Sequence, residues 1–100
     1  MTAILNNPIR KTVTPSSGSV SETFSTHGLC HQILVKPSTA STQYDVSILN
    51  SDSVTVFKRS DEEATFNELM ILPLSGNYTI TIDNATVDEE FIILVIVRNS

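Results

Sequence analysis

The chain has no tryptophan, one cysteine, three glycines and four prolines in one hundred residues. Each shortage excludes something. With Cys30 alone there is no internal disulfide, so stability must come from an apolar core or from neighbouring chains. Gly18, Gly28 and Gly76 are too few and too scattered for a phosphate-binding glycine loop. Without tryptophan the commonest sugar-stacking platform is missing. The longest apolar run, Phe91 to Val97, is seven residues, whereas a membrane-spanning helix needs about 20. The N-terminal run Met1-Thr2-Ala3-Ile4-Leu5-Asn6-Asn7-Pro8 lacks the basic region and apolar stretch of a secretory leader. Folding in a cytoplasm is therefore expected. The sequons Asn77-Tyr78-Thr79 and Asn84-Ala85-Thr86 are then expected to stay unglycosylated.

What is present points to one globular domain. A hydrophobic fraction of 40% supports a core, and one hundred residues suffice for one core but not two. The formal net charge is -5, which argues against nucleic acid or an anionic membrane as the main partner. Residues 1–36 carry Arg10, Lys11 and Lys36 against Glu22, while residues 37–100 carry ten acids against Lys58, Arg59 and Arg98. This asymmetry fits copies that attract one another, or simply solvated charged faces.

The recurring pattern is alternation, the signature of strands. Tyr44, Val46 and Ile48 alternate with Asp45, Ser47 and Leu49. The polar cluster Asn50-Ser51-Asp52-Ser53 then reads as a hairpin turn before Val54 and Val56. Tyr78, Ile80 and Ile82 alternate with Thr79, Thr81 and Asp83. Leu29, His31, Ile33 and Val35 are expected on one face of a strand that Pro37 ends. Further strands are expected at Ile9–Thr14 and Ser19–Phe24, separated by Pro15-Ser16-Ser17-Gly18, and at Leu69–Leu72 and Phe91–Val97. The expected fold class is all-β: a single antiparallel β-sandwich of about eight short strands, jelly-roll or immunoglobulin-like. Ser60-Asp61-Glu62-Glu63 matches a helical capping box, which allows a short helical turn near 61–67. Residues 1–8 read as an N-terminal arm and 9–100 as the sandwich domain.

Phe91-Ile92-Ile93-Leu94-Val95-Ile96-Val97 is apolar on both faces, although a two-layer fold leaves one face of each strand wet. Either the chain itself covers the second face, or another subunit does. The charged residues Asp88, Glu89, Glu90 and Arg98 flank the run, as gatekeepers against aggregation do. The candidate interface is therefore Phe91, Ile92, Ile93, Leu94, Val95, Ile96 and Val97, together with Ile4 and Leu5 of the arm.

Chemistry is sparse. His27, Cys30 and His31 are the only histidines and cysteine, and on a strand Cys30 points away from the two histidines. No metal site, cofactor or catalytic residue is expected. Cys30 reads as a small buried hydrophobe. The clusters Asp61-Glu62-Glu63 and Asp88-Glu89-Glu90 match no calcium-loop spacing and read as solvated loop charges. The six aromatics, Phe24, Tyr44, Phe57, Phe66, Tyr78 and Phe91, mostly occupy core positions.

Residues 44–98 carry a Tyr44-x-Val46-x-Ile48 strand, a polar hairpin turn and a second strand ending in charge. Then come Leu72-Pro73-Leu74-Ser75-Gly76-Asn77-Tyr78, Asp83-Asn84-Ala85-Thr86 and a final apolar strand ending in Val97-Arg98. In this style of sequence the chain resembles small β-sandwich virion structural proteins of tailed bacteriophages, of the capsid decoration or cement kind. The resemblance covers about half the chain. It implies a non-enzymatic protein of the virion that forms a homo-oligomer, trimer or dimer, and binds the major capsid protein. A neck, tail or fibre-base component, or a carbohydrate-binding β-sandwich module, is the alternative it leaves open.

Overall fold

A computed structural model describes residues 6–39 and 41–98. They form six strands: β1 (Asn6–Val13), β2 (Val20–Pro37), β3 (Gln43–Asn50), β4 (Thr55–Glu63), β5 (Phe66–Asp83) and β6 (Phe91–Arg98). All belong to one antiparallel sheet in the order β1-β6-β2-β5-β3-β4. The expected all-β antiparallel class holds, but the strand count is six. Two pairs of expected strands are continuous. Ser19–Phe24 and Leu29–Val35 lie on β2, and Leu69–Leu72 and Tyr78–Ile82 lie on β5, each 18 residues long.

These two long strands organise the molecule. They pair from Val20↔Ile82 to Val35↔Phe66. Beyond that ladder each takes a second neighbour along only half its length. β6 joins β2 from Leu29 to Pro37, and β3 joins β5 from Tyr78 to Asp83. The sheet therefore folds back on itself into two walls. One holds β1, β6 and the part of the β2–β5 ladder from Leu29↔Pro73 to Val35↔Phe66; the other holds the part from Val20↔Ile82 to His27↔Ser75, with β3 and β4. Gly28 (φ 147°) and Gly76 (φ 107°) stand beside the bend. A Cβ on Gly28 would sit 2.6 Å from the Arg98 carbonyl oxygen and 2.8 Å from Val97 Cγ1. Only glycine lets β2 approach β6 this closely.

Rings and branched residues from both walls meet between them. Tyr44 of β3 packs edge-on to Phe91 of β6, centroids 5.1 Å apart, although the two strands share no hydrogen bond. Phe24 stacks on Tyr78 and Phe57 meets Phe66. Ile33, Val35, Val46, Ile48, Ile82, Val95 and Val97 are sealed from solvent. Each such side chain contributes roughly 1.5–3 kcal/mol of apolar burial. The Tyr44 hydroxyl donates to the Ala64 carbonyl at 2.7 Å, so the polar tip is satisfied.

Two local expectations fail for identifiable reasons. No helical turn forms at 61–67: residues up to Glu63 are strand, and Asp61 has φ 58°. The pairing skips from Tyr44↔Glu62 to Val46↔Arg59, and the Asp61 amide in this bulge donates to Asp45 Oδ1 at 2.8 Å. The strand thus continues through a bulge in which a nonlocal carboxylate satisfies the Asp61 amide. A second bulge at Cys30/Gln32 breaks the face expected for Leu29, His31, Ile33 and Val35. Cys30, Ile33 and Val35 face the core, while Leu29 is exposed. The asparagine hairpin does form, with Asn50 Oδ1 accepting from the Asp52 and Val54 amides.

Candidate assembly face

Alternation along β6 divides the apolar run. Phe91, Ile93, Val95 and Val97 are buried in the chain's own core, which corrects their assignment to an interface. Ile92, Leu94 and Ile96 point the other way and are half-buried. Ile4 and Leu5 lie outside the described residues; of the expected arm, residues 6–8 belong to β1.

Register assembles the neighbours of the outward stripe. Ile92, Leu94 and Ile96 pair with Thr12, Arg10 and Pro8 of β1 on one side and with Lys36, Leu34 and Gln32 of β2 on the other. Beyond β2 come Asn67 and Leu69 of β5. Leu69 is 75% exposed and Ile71 is 83% exposed. The outer surface of this wall therefore has an apolar centre, Leu34, Ile92, Leu94 and Ile96, extended by Leu69 and Ile71. Arg10, Lys36 and Arg98 stand around it, and all three are exposed. Glu90 is the one acid at its margin among the described residues, and it lines a shallow depression with Lys36 and Ile92.

The opposite wall has a different outer surface. Thr79, Thr81, Ser47 and Asp45 alternate with buried Ile80, Ile82, Val46 and Ile48. Ser21 and Thr81 share a hydrogen bond of 2.9 Å across β2 and β5. That surface is polar except for half-buried Leu49 beside Thr79, as a wet sheet face should largely be. Among the described residues, the β6 wall alone turns branched apolar residues outward in a row, Ile92, Leu94 and Ile96.

Nothing among the described residues converges for catalysis. His27 Nδ1 lies 3.0 Å from Ser75 Oγ, but both are exposed and no third group orients the imidazole. Burial pushes the Cys30 thiol above its ordinary value, and its sulfur contacts the Gln32 carbonyl. No group of three metal-ligating side chains occurs among the described residues. A groove of about 360 Å³ between β4 and β5 holds Lys58, Arg59 and Glu68, but Arg59 and Glu68 are already joined. All six aromatics are buried, so none offers a sugar platform.

The acidic cluster 88–90 is not merely solvated. The Asp88 carboxylate accepts from the Ser17 and Gly18 amides at 3.0 and 2.8 Å. Glu89 accepts from the Thr39 amide and from the Thr39 and Thr42 hydroxyls. The β5–β6 loop is thus tied to two other loops, and Glu90 is left exposed. Sequence reasoning missed these ties because the partners lie 47 to 71 positions away.

No family model and no curated protein matches the chain. Among solved structures, a periplasmic lysozyme inhibitor of g-type lysozyme from Aeromonas hydrophila, PliG, matches with a TM-score of 0.51 at 12% identity. The match covers 91% of this chain and 85% of that one, so the likeness is one of fold across nearly the whole length. A carbohydrate-binding module of family CBM36, in complex with calcium and xylotriose, gives 0.39 at 17% identity over 85% of this chain and 75% of its own. Infectious bursal disease virus gives 0.35 at 12% identity over 98% of this chain and 38% of its own.

Proposed function

We propose that the chain is a non-catalytic assembly domain of a virus particle, a decoration protein that covers its apolar wall against capsid subunits or other copies of itself. The observation that carries this reading is the outward row Ile92, Leu94 and Ile96 beside Leu34, Leu69 and Ile71. The row stands where a solvated sheet face would carry polar residues, as the other wall does with Ser47, Thr79 and Thr81. The rival carbohydrate-binding reading loses its main requirement, because no aromatic ring is exposed. The test is Leu94→Glu, which places a charge at the centre of the wall without entering the core. The variant should fold normally and lose association with particles from the virus that encodes it. Wild-type protein should be found in purified particles at a fixed ratio to the major capsid protein. Unchanged particle association by the variant, or absence of the chain from particles, would overturn the proposal.

A second reading is an enzyme inhibitor, as PliG is for g-type lysozyme. The observation in its favour is the exposed bend Ser75-Gly76-Asn77, braced from within by the Tyr78 hydroxyl, which lies 2.7 Å from the Ser75 amide. Titrating g-type lysozyme with the purified chain decides it: full activity at excess chain removes this reading.

A further inference from the structure

We infer that the apolar wall closes on the same wall of a second copy, with the two β6 strands antiparallel about Leu94. This rests on the assembly reading above and names the partner. The outward residues of β6 and of the position before it read Glu90, Ile92, Leu94, Ile96, Arg98: acid, branched, leucine, branched, base. That stripe is self-complementary under reversal. A two-fold axis lying in the contact plane, perpendicular to β6 at Leu94, sets Ile92 over the second copy's Ile96 and Glu90 over its Arg98. Isologous contacts of this kind are the commonest route to homodimers.

The flanking strands obey the same operation. Leu34 lies level with Leu94, so it meets its own equivalent and widens the apolar centre. Lys36 is level with Ile92 and Gln32 with Ile96, so each lysine faces a neutral amide. Arg10 is level with Leu94 on the edge strand β1 and approaches its own equivalent, but both heads can reach water from that edge. Among the described residues the one ion pair within the chain is Arg59–Glu68, which leaves Glu90 and Arg98 free to pair between copies.

The contact is small. Four strands spaced at about 4.8 Å, and six residue steps of about 3.4 Å, give a footprint of roughly 400 Å² on each copy. About 800 Å² in total is below a standard-size interface, so the dimer is of the weak class and dissociates in dilute solution. The Glu90–Arg98 contacts set register and orientation more than strength.

Sedimentation equilibrium across a wide range of chain concentrations tests the inference, with circular dichroism to show that every variant folds. Wild type should pass from monomer to dimer. Glu90→Arg alone and Arg98→Glu alone should each weaken the dimer about tenfold or more. The double exchange Glu90→Arg/Arg98→Glu should return the wild-type constant, because reversal restores both pairs. A dimer that Leu94→Glu dissociates, but whose affinity the double exchange does not restore, would overturn the antiparallel register while leaving the assembly wall in place. Wild type that stays monomeric throughout, yet binds particles through Leu94, would overturn the second copy as partner but not the proposed function. A dimer and particle binding both indifferent to Leu94→Glu would remove both.

Discussion

Replacing Gly28 with alanine tests how closely β2 approaches β6 beside the bend. Two penalties act at this position. The residue sits at φ 147°, a conformation L side chains rarely adopt, and the new Cβ would lie 2.6 Å from the Arg98 carbonyl oxygen and 2.8 Å from Val97 Cγ1. A strained dihedral costs about 1–2 kcal/mol. Overpacking against backbone costs about 1–3 kcal/mol more, because the nearest obstacle is a carbonyl and not a flexible side-chain tip. The expected loss is therefore roughly 2–5 kcal/mol, a large part of the ~5–15 kcal/mol that stabilises an ordinary domain. Gly76→Ala is the control. Gly76 also has positive φ, 107°, but a Cβ there meets nothing within 4 Å. It carries the dihedral cost alone. Urea unfolding of both variants should show Gly28→Ala less stable than Gly76→Ala by at least 1 kcal/mol. Equal losses would show that the approach of β2 to β6 is not tight, and the account of the bend would fail.

Two further perturbations follow from the polar contacts. Tyr44→Phe removes the donor to the Ala64 carbonyl; burial first, then nearby Glu62, pushes this phenol above its ordinary value, so it stays protonated and donates. Leaving that carbonyl unpaired should cost about 1–3 kcal/mol in chemical unfolding, and a loss below ~0.3 kcal/mol would refute the role given to the hydroxyl. Acid should also weaken the fold. The Asp61 amide and the Asn84 side chain hold Asp45 below its ordinary value, and the Thr42 hydroxyl, with the Thr39 amide and hydroxyl, does the same for Glu89. A depressed carboxylate lends stability that is complete above the unfolded-state value and lost as pH falls through the folded-state value. Thermal melts should be flat near neutrality and fall below about pH 4, and Asp45→Asn and Glu89→Gln should each flatten that fall.

Local chemistry was the readable part of this fold. The alternations at Tyr44–Ile48 and Tyr78–Ile82 require only neighbours two residues away, and both strands form where the pattern puts them. The asparagine turn is equally local. The unreadable parts each depend on a distant partner. Gly28 looks like a strand breaker until Arg98, seventy positions on, occupies the space a side chain would need. In sequence alone β2 therefore reads as two strands, as β5 also does. Ser60-Asp61-Glu62-Glu63 has the residues of a helix start, yet this segment stays in its ladder with β3, through a bulge whose Asp61 amide donates to Asp45. Cys30 is buried as its small apolar side chain leads one to expect, but its inward direction depends on a bulge that no spacing announces. At the candidate face, double-sided apolarity of 91–97 was visible in sequence. The division of its labour was not, because only the register tells which four residues the chain uses itself.

The contrast between the two outer surfaces bears most directly on purpose. Both walls enclose the same core, so the core cannot explain why they differ outside. The wall built on β3 and the end of β5 turns Ser47, Thr79 and Thr81 outward, and threonine suits an exposed strand well. The same choice at 92, 94 and 96 would keep β6 in its ladder and remove the exposed apolar surface. Branched apolar residues there instead expose the free chain to aggregation. The surrounding cations, and the acid and base that end the β6 stripe, limit that hazard without removing the apolar centre. Under the assembly proposal this is the surface that a partner covers, and Leu94→Glu is the change that tests it.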